Sequence, residues 1–286
     1  MASGEYWFES PEGLRLFARV YAGPRASAPV VLCLHGLMRN SRDFEDLATH
    51  LAASYRVVVP DVRGRGLSAH DPTFNNYQIP VYLKDLLLLF AGLGVERASI
   101  IGTSMGGLMA MVLAAIQPAV VSGIVLNDVG PELDPQGLER IRSYAGKSPP
   151  VSSWPQAVAQ VRSIYSQAWP GLSDERWETI ARLSFRANAQ GVPEADADPL
   201  IGEPLRDTQA AAPNLWPLWG ALAKVPVLAI RGATSDILSV ATLARMQREK
   251  PDLKVLTVAN RGHAPLLDEP ECLAAIDGFL SGFGAR

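Results

Sequence analysis

Short β-branched and apolar runs alternate with longer amphipathic segments over the first 130 residues of the chain. Apolar runs of this length and composition predict strands. In the segments between these runs, apolar residues recur with a period of about 3.6 residues, which predicts helices. The alternation indicates right-handed crossovers and a mostly parallel sheet with helices on both faces. The predicted strands are 14–22, 30–35, 56–61, 98–102 and 121–127, and the predicted helices are 43–54, 79–93 and 105–117.

This rhythm stops after Asp128. Residues 131–219 hold half of the 22 prolines and five of the six tryptophans, with helical patches at 153–168 and 173–189 and no strand between them. Such a segment is typical of a helical insertion in a sheet protein rather than of a second independent domain.

The strand and helix alternation resumes near residue 225. Strands are predicted at 225–231 and 253–258, and helices at 239–249 and 271–283. The predicted organisation is therefore an α/β core in two parts, 1–130 and 220–286, with a helical cap at 131–219 between them.

Composition narrows the classes of function. The 286 residues are 48% hydrophobic and carry a formal net charge of −3, with lysines and arginines scattered along the chain. A large core is therefore expected, and the absence of a basic stripe argues against nucleic acid as a partner. No basic N-terminal region and no apolar run long enough to cross a bilayer is visible, so we expect a soluble, cytoplasmic protein with no membrane partner.

The few cysteines and histidines indicate neither a disulfide nor a metal site. Cys33 lies in an apolar run and Cys272 in a helical pattern, which is typical of buried free thiols. The four histidines have no spacing suited to metal ligands.

A G-x-S-x-G pattern at Gly102, Ser104 and Gly106 is the strongest local signal for chemistry. It follows a predicted strand and precedes a predicted helix, where a serine is held in strained geometry above the sheet edge. A tight glycine turn without chemistry would give the same five residues, so the neighbouring segments decide the interpretation.

The loop after the strand at 30–35 supplies one such segment. An acyl-transfer site needs two backbone N–H groups that stabilise a developing oxyanion. Met105 follows the serine and Leu37 lies in the His35-Gly36 loop, so their amides are the predicted donors. We expect His35 to fix this loop by hydrogen bonds rather than to react.

Two further loops follow strands in the C-terminal half. One carries Asp236 and the other His263, and the chain order Ser104, Asp236, His263 is that of a nucleophile, acid and base on this type of sheet. His263 is predicted to be the base and Asp236 the acid that orients it. Asp128 also ends a strand on the same edge and remains the alternative acid.

The segment Gly64-Arg65-Gly66-Leu67-Ser68-Ala69 matches a dinucleotide-binding pattern, but His70-Asp71-Pro72 interrupts any helix after it. The acidic residue that such a site needs is also missing. We therefore expect a turn here, and no cofactor.

Taken together, these motifs resemble those of the α/β-hydrolase superfamily over essentially the whole chain. The resemblance rests on His35-Gly36, 61–68, 102–107, Asp236 and Gly262-His263. It implies a sheet of about eight strands with a helical cap inserted after the sixth. The cap corresponds here to 131–219.

The resemblance also implies a branch of the superfamily. A serine at position 104 resembles the nucleophile of the esterase, lactonase, thioesterase and carbon–carbon hydrolase branches, whereas dehalogenases and epoxide hydrolases use an aspartate there. Carbon–carbon hydrolases tend to carry asparagine before the nucleophile and a more glycine-rich oxyanion loop, from which Thr103 and Leu37-Met38 depart. Cofactor-free perhydrolases share the same triad.

These patterns predict a serine hydrolase that cleaves a carboxylic ester, or a lactone or thioester, of a small to medium, apolar substrate through an acyl-enzyme. Carbon–carbon hydrolysis and perhydrolysis are the alternatives on the same residues. A ligand-binding or receptor protein on a hydrolase scaffold is the alternative outside catalysis. We expect the cap to control substrate choice, since every predicted catalytic residue lies outside it.

Overall fold

The computed structural model describes residues 3–206 and 214–282. Eight of its strands form one sheet: Gly4–Glu9 (β1), Arg15–Tyr21 (β2), Val30–Leu34 (β3), Arg56–Asp61 (β4), Ala98–Thr103 (β5), Val121–Asn127 (β6), Val227–Gly232 (β9) and Lys254–Val258 (β10). Their order in the sheet is β1-β2-β4-β3-β5-β6-β9-β10.

Helices flank the sheet and fill the segment between β6 and β9. They are Glu45–Leu51 (α1), Ile79–Leu93 (α2), Met105–Ile116 (α3), Pro135–Tyr144 (α4), Trp154–Tyr165 (α5), Asp174–Ser184 (α6), Trp216–Ala221 (α7), Val240–Glu249 (α8) and Pro270–Leu280 (α9). Short 3-10 turns occur at Ser41–Phe44, Phe74–Asn76, Pro118–Val120 and Pro199–Leu205.

Both faces of the sheet are buried, which explains the continuous apolar runs of its central strands. In β3, Leu32 and Leu34 face a cluster built with α2 and α3, whereas Val31 and Cys33 face a second cluster built with α1 and α9. The neighbouring strands β4, β3, β5, β6, β9 and β10 run parallel to one another, whereas β2 pairs antiparallel with both β1 and β4. The predicted α/β sheet with helices on both faces is confirmed.

The edge strand β1 is absent from the sequence-based prediction. Its residues pair with β2 from Gly4↔Val20 to Glu9↔Arg15, but they are exposed or only partly buried. An edge strand with little burial lacks the apolar alternation by which strands are found in a sequence.

The segment between β6 and β9 contains a strand pair where only helix was expected. The helix predicted at 173–189 ends at Ser184, and Phe185–Ala187 (β7) pairs antiparallel with Pro193–Ala195 (β8). The turn between them is closed by the Asn188 side chain, which accepts hydrogen bonds from the amides of Gln190 and Val192. This asparagine turn chemistry overrides the helical pattern.

The same segment has its own apolar cluster between α5 and α6, which includes Ala157, Trp169, Trp177 and Ile180. The last helix of the segment, α7, packs on the main core instead, where Trp219 is buried and α7 contacts α3. Within residues 3–206 and 214–282, every helix is too short or too polar to cross a membrane.

A buried guanidinium ties the loop after β4 to α2. Arg63 is fully buried and pairs with Asp85 at 2.7 Å and Asp71 at 2.6 Å, and it also reaches the more exposed Glu12 at 3.0 Å. Removing one side of a buried ion cluster leaves the opposite charges unpaired in a dry environment.

Replacing Arg63 by methionine should therefore lower the free energy of unfolding by about 3–5 kcal/mol. Urea denaturation followed by circular dichroism measures this change. The control is Arg25→Ala, which removes an exposed arginine and should change the free energy by less than about 0.5 kcal/mol. Similar values for the two variants would show that the cluster does not stabilise the fold.

Candidate active site

Ser104 lies on the turn between β5 and α3, as the pattern predicted. Its backbone has φ 52° and ψ −114°, which is strained for a residue with a side chain. A Cβ at Gly102 would lie 2.4 Å from the Gly106 backbone, and a Cβ at Gly106 would lie 2.1 Å from the Leu34 carbonyl oxygen. The two glycines are therefore required by the close approach of the helix to the strands.

Three side chains from different loops form a continuous hydrogen-bonded series. Ser104 Oγ lies 2.9 Å from His263 Nε2, and His263 Nδ1 lies 2.8 Å from Asp128 Oδ2. Asp128 is fully buried and His263 is 8% exposed. This arrangement leaves Nδ1 as the donor to the carboxylate and Nε2 free to accept the serine proton.

The prediction that Asp236 contacts His263 is wrong, and the alternative acid occupies that place. The carboxylate of Asp236 instead makes a two-pronged pair with Arg140 of α4, with one contact at 2.8 Å. Burial opposes the ionisation of Asp236, but the hydrogen bonds and charge of Arg140 outweigh it and keep its pKa below the usual value. Arg140 lies in the segment between β6 and β9, called the inserted segment below. The residues around Asp236 in the sequence therefore gave no sign of this pairing.

Asp128 is held by donors from the loop after β9. Its Oδ1 accepts from the Gly232 amide at 2.7 Å, and its Oδ2 accepts from the Ser235 hydroxyl at 2.5 Å. Asp128 also has a positive φ of 55°, and its own amide donates to the Ile230 carbonyl at 2.7 Å. The carboxylate is thus fixed in orientation by a backbone amide and a hydroxyl in addition to His263.

The loop that carries His263 is anchored on both sides of the histidine by the inserted segment. The Gly262 amide donates to the Ala168 carbonyl at 2.7 Å, and the Trp169 indole donates to the Ala264 carbonyl at 2.7 Å. From the core, the Asn127 side chain donates to the Pro265 carbonyl at 2.9 Å. Sequence reasoning missed Trp169, because no local motif marks a contact across 95 residues.

The predicted oxyanion donors lie beside Ser104. Leu37 lines the same cavity as Ser104 and His263, and Met105 is the first residue of α3. Among the described residues, neither the Leu37 nor the Met105 amide donates to a protein acceptor. A Cβ at Gly36 would lie 3.9 Å from the Ser104 Cβ, so a side chain at position 36 would be in van der Waals contact with the nucleophile turn.

His35 fixes the loop as expected. Its Nε2 accepts from the Val62 amide at 3.0 Å, so Nδ1 carries the proton and donates to the Gly36 carbonyl at 2.8 Å. Burial lowers the pKa of His35 to about 3, and the charges of Arg65 and Arg39 act in the same direction. His35 is therefore neutral at physiological pH and orients the peptide that contains the Leu37 amide.

The cavity at Ser104 lies between the core and the inserted segment. Its polar groups include Arg39, Tyr144 and Tyr165, and burial raises the pKa of both tyrosines, which remain protonated donors. Most of the other lining side chains are apolar, including Leu37, Met38, Ile141, Ile180, Leu183 and Leu266.

No group of three or more His, Cys, Asp or Glu side chains in residues 3–206 and 214–282 is arranged to hold a metal ion. The turn at 64–69 is not followed by a helix, and its arginine side chain points into the protein.

The sequence and the fold of this chain are similar to those of several known hydrolases. A solved α/β hydrolase from Novosphingobium aromaticivorans is 44% identical, with a TM-score of 0.92, and the match covers 98% of this chain and 99% of that one. A 3-hydroxybutyrate-oligomer hydrolase of Cupriavidus necator is 35% identical over 96% of this chain and 95% of its own length.

A 2-(acetamidomethylene)succinate hydrolase of Mesorhizobium japonicum is 26% identical over 90% of this chain and 89% of its own length. The model of the alpha/beta hydrolase family matches residues 31–275, which is most of the chain. With the eight-stranded sheet and the relatives above, this match shows that the chain belongs to the alpha/beta hydrolase family.

Proposed function

We propose that this chain is a serine hydrolase that cleaves a carboxylic ester through an acyl-enzyme on Ser104. One observation carries the proposal: the series Ser104 Oγ, His263 Nε2, His263 Nδ1 and Asp128 Oδ2, with contacts of 2.9 and 2.8 Å. A serine hydroxyl is a poor nucleophile until a base removes its proton, and the series supplies a base that is oriented by a buried carboxylate.

In the first half of the reaction, Ser104 Oγ attacks the ester carbonyl carbon while its proton passes to His263 Nε2. Asp128 stabilises the imidazolium that forms, because its Oδ2 already accepts the Nδ1 proton. The amides of Leu37 and Met105 hold the carbonyl oxygen as it becomes negative. The tetrahedral intermediate then collapses, and the alcohol leaves with the proton from His263.

In the second half, a water molecule attacks the acyl carbon and gives its proton to His263 Nε2. Collapse of this second intermediate releases the acid and returns the proton to Ser104. The same base, carboxylate and amides serve both halves, so no further catalytic group is required.

The cavity supports a small to medium ester with an apolar acyl or alcohol part. Its walls are largely apolar and combine core residues such as Met38 with residues of the inserted segment such as Ile180. We propose that 131–219 acts as a cap over the site, because seven of its side chains line the cavity that contains Ser104. They are Ile141, Tyr144, Tyr165, Trp169, Arg176, Ile180 and Leu183.

A linear ester of short hydroxy acids is a second, more specific candidate. The relative from Cupriavidus necator is named for hydrolysis of 3-hydroxybutyrate oligomers and matches this chain over nearly its full length. Such a substrate repeats ester oxygens along an apolar chain, and Arg39, Tyr144 and Tyr165 provide polar groups in the lining of a cavity whose other walls are largely apolar. Faster hydrolysis of a 3-hydroxybutyrate dimer than of an alkyl ester of equal length would favour this candidate.

An organophosphonate probe should label Ser104 covalently, because an activated serine beside oxyanion donors attacks phosphorus as it attacks a carbonyl. Ser104→Ala should abolish both labelling and turnover of aryl esters. Intact-mass spectrometry and peptide mapping measure the label. Labelling of the alanine variant on another residue would contradict the assignment.

Asp128→Asn should lower kcat by about 10⁴-fold, because the amide no longer favours the histidine tautomer with its proton on Nδ1. Asp236→Asn changes the same atoms in a carboxylate that pairs with Arg140 and should change kcat by less than about tenfold. Steady-state kinetics on a p-nitrophenyl ester, with melting curves to establish folding, compare the two. A larger loss for Asp236→Asn would return the orienting role to that residue.

Trp169→Phe should reduce the rate of Ser104 labelling by a small phosphonate about tenfold, because the histidine loop loses its hydrogen bond at Ala264 and becomes less well positioned. Trp177→Phe is the control, since Trp177 packs in the same aromatic cluster with its ring 6.1 Å from that of Trp169. A small probe is chosen because it does not depend on the shape of the rest of the cavity. Equal rates for the two variants would show that the cap does not support the base.

A further inference from the structure

Arg65 is a fully buried guanidinium in the turn after β4. Its Nε donates to the Leu37 carbonyl at 2.9 Å, and its Nη1 donates to the Arg63 carbonyl at 2.8 Å and to the Tyr82 hydroxyl at 3.1 Å. Its Nη2 lies 3.6 Å from the sulfur of Met105. No carboxylate in the described part of the chain forms an ion pair with it.

The neighbouring arginine shows how unusual this environment is. Arg63 is equally buried but meets three carboxylates, two of them buried, as expected for a charge removed from water. Among residues 3–206 and 214–282, the partners of Arg65 are neutral acceptors and the rings of Tyr77 and Tyr82, whose centroids lie 5.7 and 5.1 Å from its Cζ. Burying a charge in this way is costly, and a neutral side chain would spare that cost.

The contacts of Arg65 join the two residues whose amides are the proposed oxyanion donors. The Leu37 amide belongs to the peptide whose carbonyl, on Gly36, accepts from His35. The following peptide has its carbonyl, on Leu37, held by Arg65. Both peptides that flank the Leu37 Cα are therefore fixed, one by a neutral imidazole and the other by a cation.

At the other donor, the guanidinium contacts the side chain of Met105, the residue that opens α3. One rigid planar group thus lies against both halves of the proposed oxyanion hole. The planar fork of arginine suits this task, since it makes several directed hydrogen bonds with little loss of freedom.

We propose that Arg65 is a positioning residue for the oxyanion hole, and that its positive charge favours the anionic tetrahedral intermediate over the neutral ester. This inference rests on the proposed function, because it requires an oxyanion on a Ser104 adduct. A charge without a neighbouring carboxylate acts strongly in a dry site and stabilises negative charge as it develops. The ground-state ester carries no such charge, so the effect belongs in kcat rather than in KM.

The test compares Arg65→Met and Arg65→Lys with wild type and with Arg63→Lys as a matched control. Arg63→Lys perturbs an equally buried arginine two residues away whose side chain contacts neither Leu37 nor Met105. Each variant is assayed well below its melting temperature on a p-nitrophenyl ester. The inhibition constant of an aryl boronic acid, which forms a tetrahedral anionic adduct with an active serine, is measured alongside.

Arg65→Met should lower kcat by about 10–100-fold, because the Leu37 and Met105 amides remain present but are no longer held in position. KM should stay within about threefold of wild type. The boronic acid inhibition constant should rise by about the same factor as kcat/KM falls. Arg65→Lys keeps the charge but loses the fork, so its kcat should lie between those of wild type and Arg65→Met. Arg63→Lys should melt at a lower temperature with kcat and boronate affinity close to wild type.

The proposal is overturned if Arg65→Lys, or Arg65→Met where it folds, keeps the kcat and boronate affinity of wild type. It is equally overturned if the Arg65 variants and Arg63→Lys have similar melting temperatures and the Arg65 variants lose no more kcat than Arg63→Lys does. Failure of the proposed function looks different, because the wild-type protein would then neither hydrolyse the ester nor bind the boronic acid at Ser104.

Discussion

The buried carboxylate of Asp128 is the point on which the rest of the site depends. It receives hydrogen bonds from His263, from the Gly232 amide and from the Ser235 hydroxyl, so the loops after β9 and β10 both converge on this one group. A fully buried carboxylate is tolerable only with such a set of donors. The Gly232 and Ser235 donors hold the Asp128 carboxylate against the loop after β9. The carboxylate in turn holds His263 beside Ser104.

The sequence predicted the buried strands of the sheet and most of the helices that pack on it. Buried parallel strands are continuous apolar runs, and the glycines around Ser104 are required locally, so the sheet, the serine turn and the histidine loop could all be located. The carboxylate that contacts His263 could not be chosen in this way, because Asp128 and Asp236 both follow strands at the same sheet edge. Arg140, which is 96 residues from Asp236 in sequence, decides between them by pairing with the latter.

The burial of Arg63 and Arg65 is a second feature that the local sequence does not predict. The turn at 64–69 was recognised as a turn, but composition gives no reason to bury Arg63 and Arg65 completely. Their partners come from Glu12, Leu37, Asp71, Tyr82, Asp85 and Met105, which lie in different parts of the chain. Charge burial of this kind depends on tertiary contacts, and local periodicity carries no information about it.

The hydrogen bonds from Ala168 and Trp169 to the histidine loop bear on how such proteins diversify. If the inserted segment only covered the cavity, it could be exchanged between relatives as a module that carries specificity. Here the segment also holds the backbone on both sides of His263, the proposed base. A chimera of this chain that received another relative's insertion would inherit a displaced histidine along with the new cavity, unless the loop at 261–267 were transferred with it.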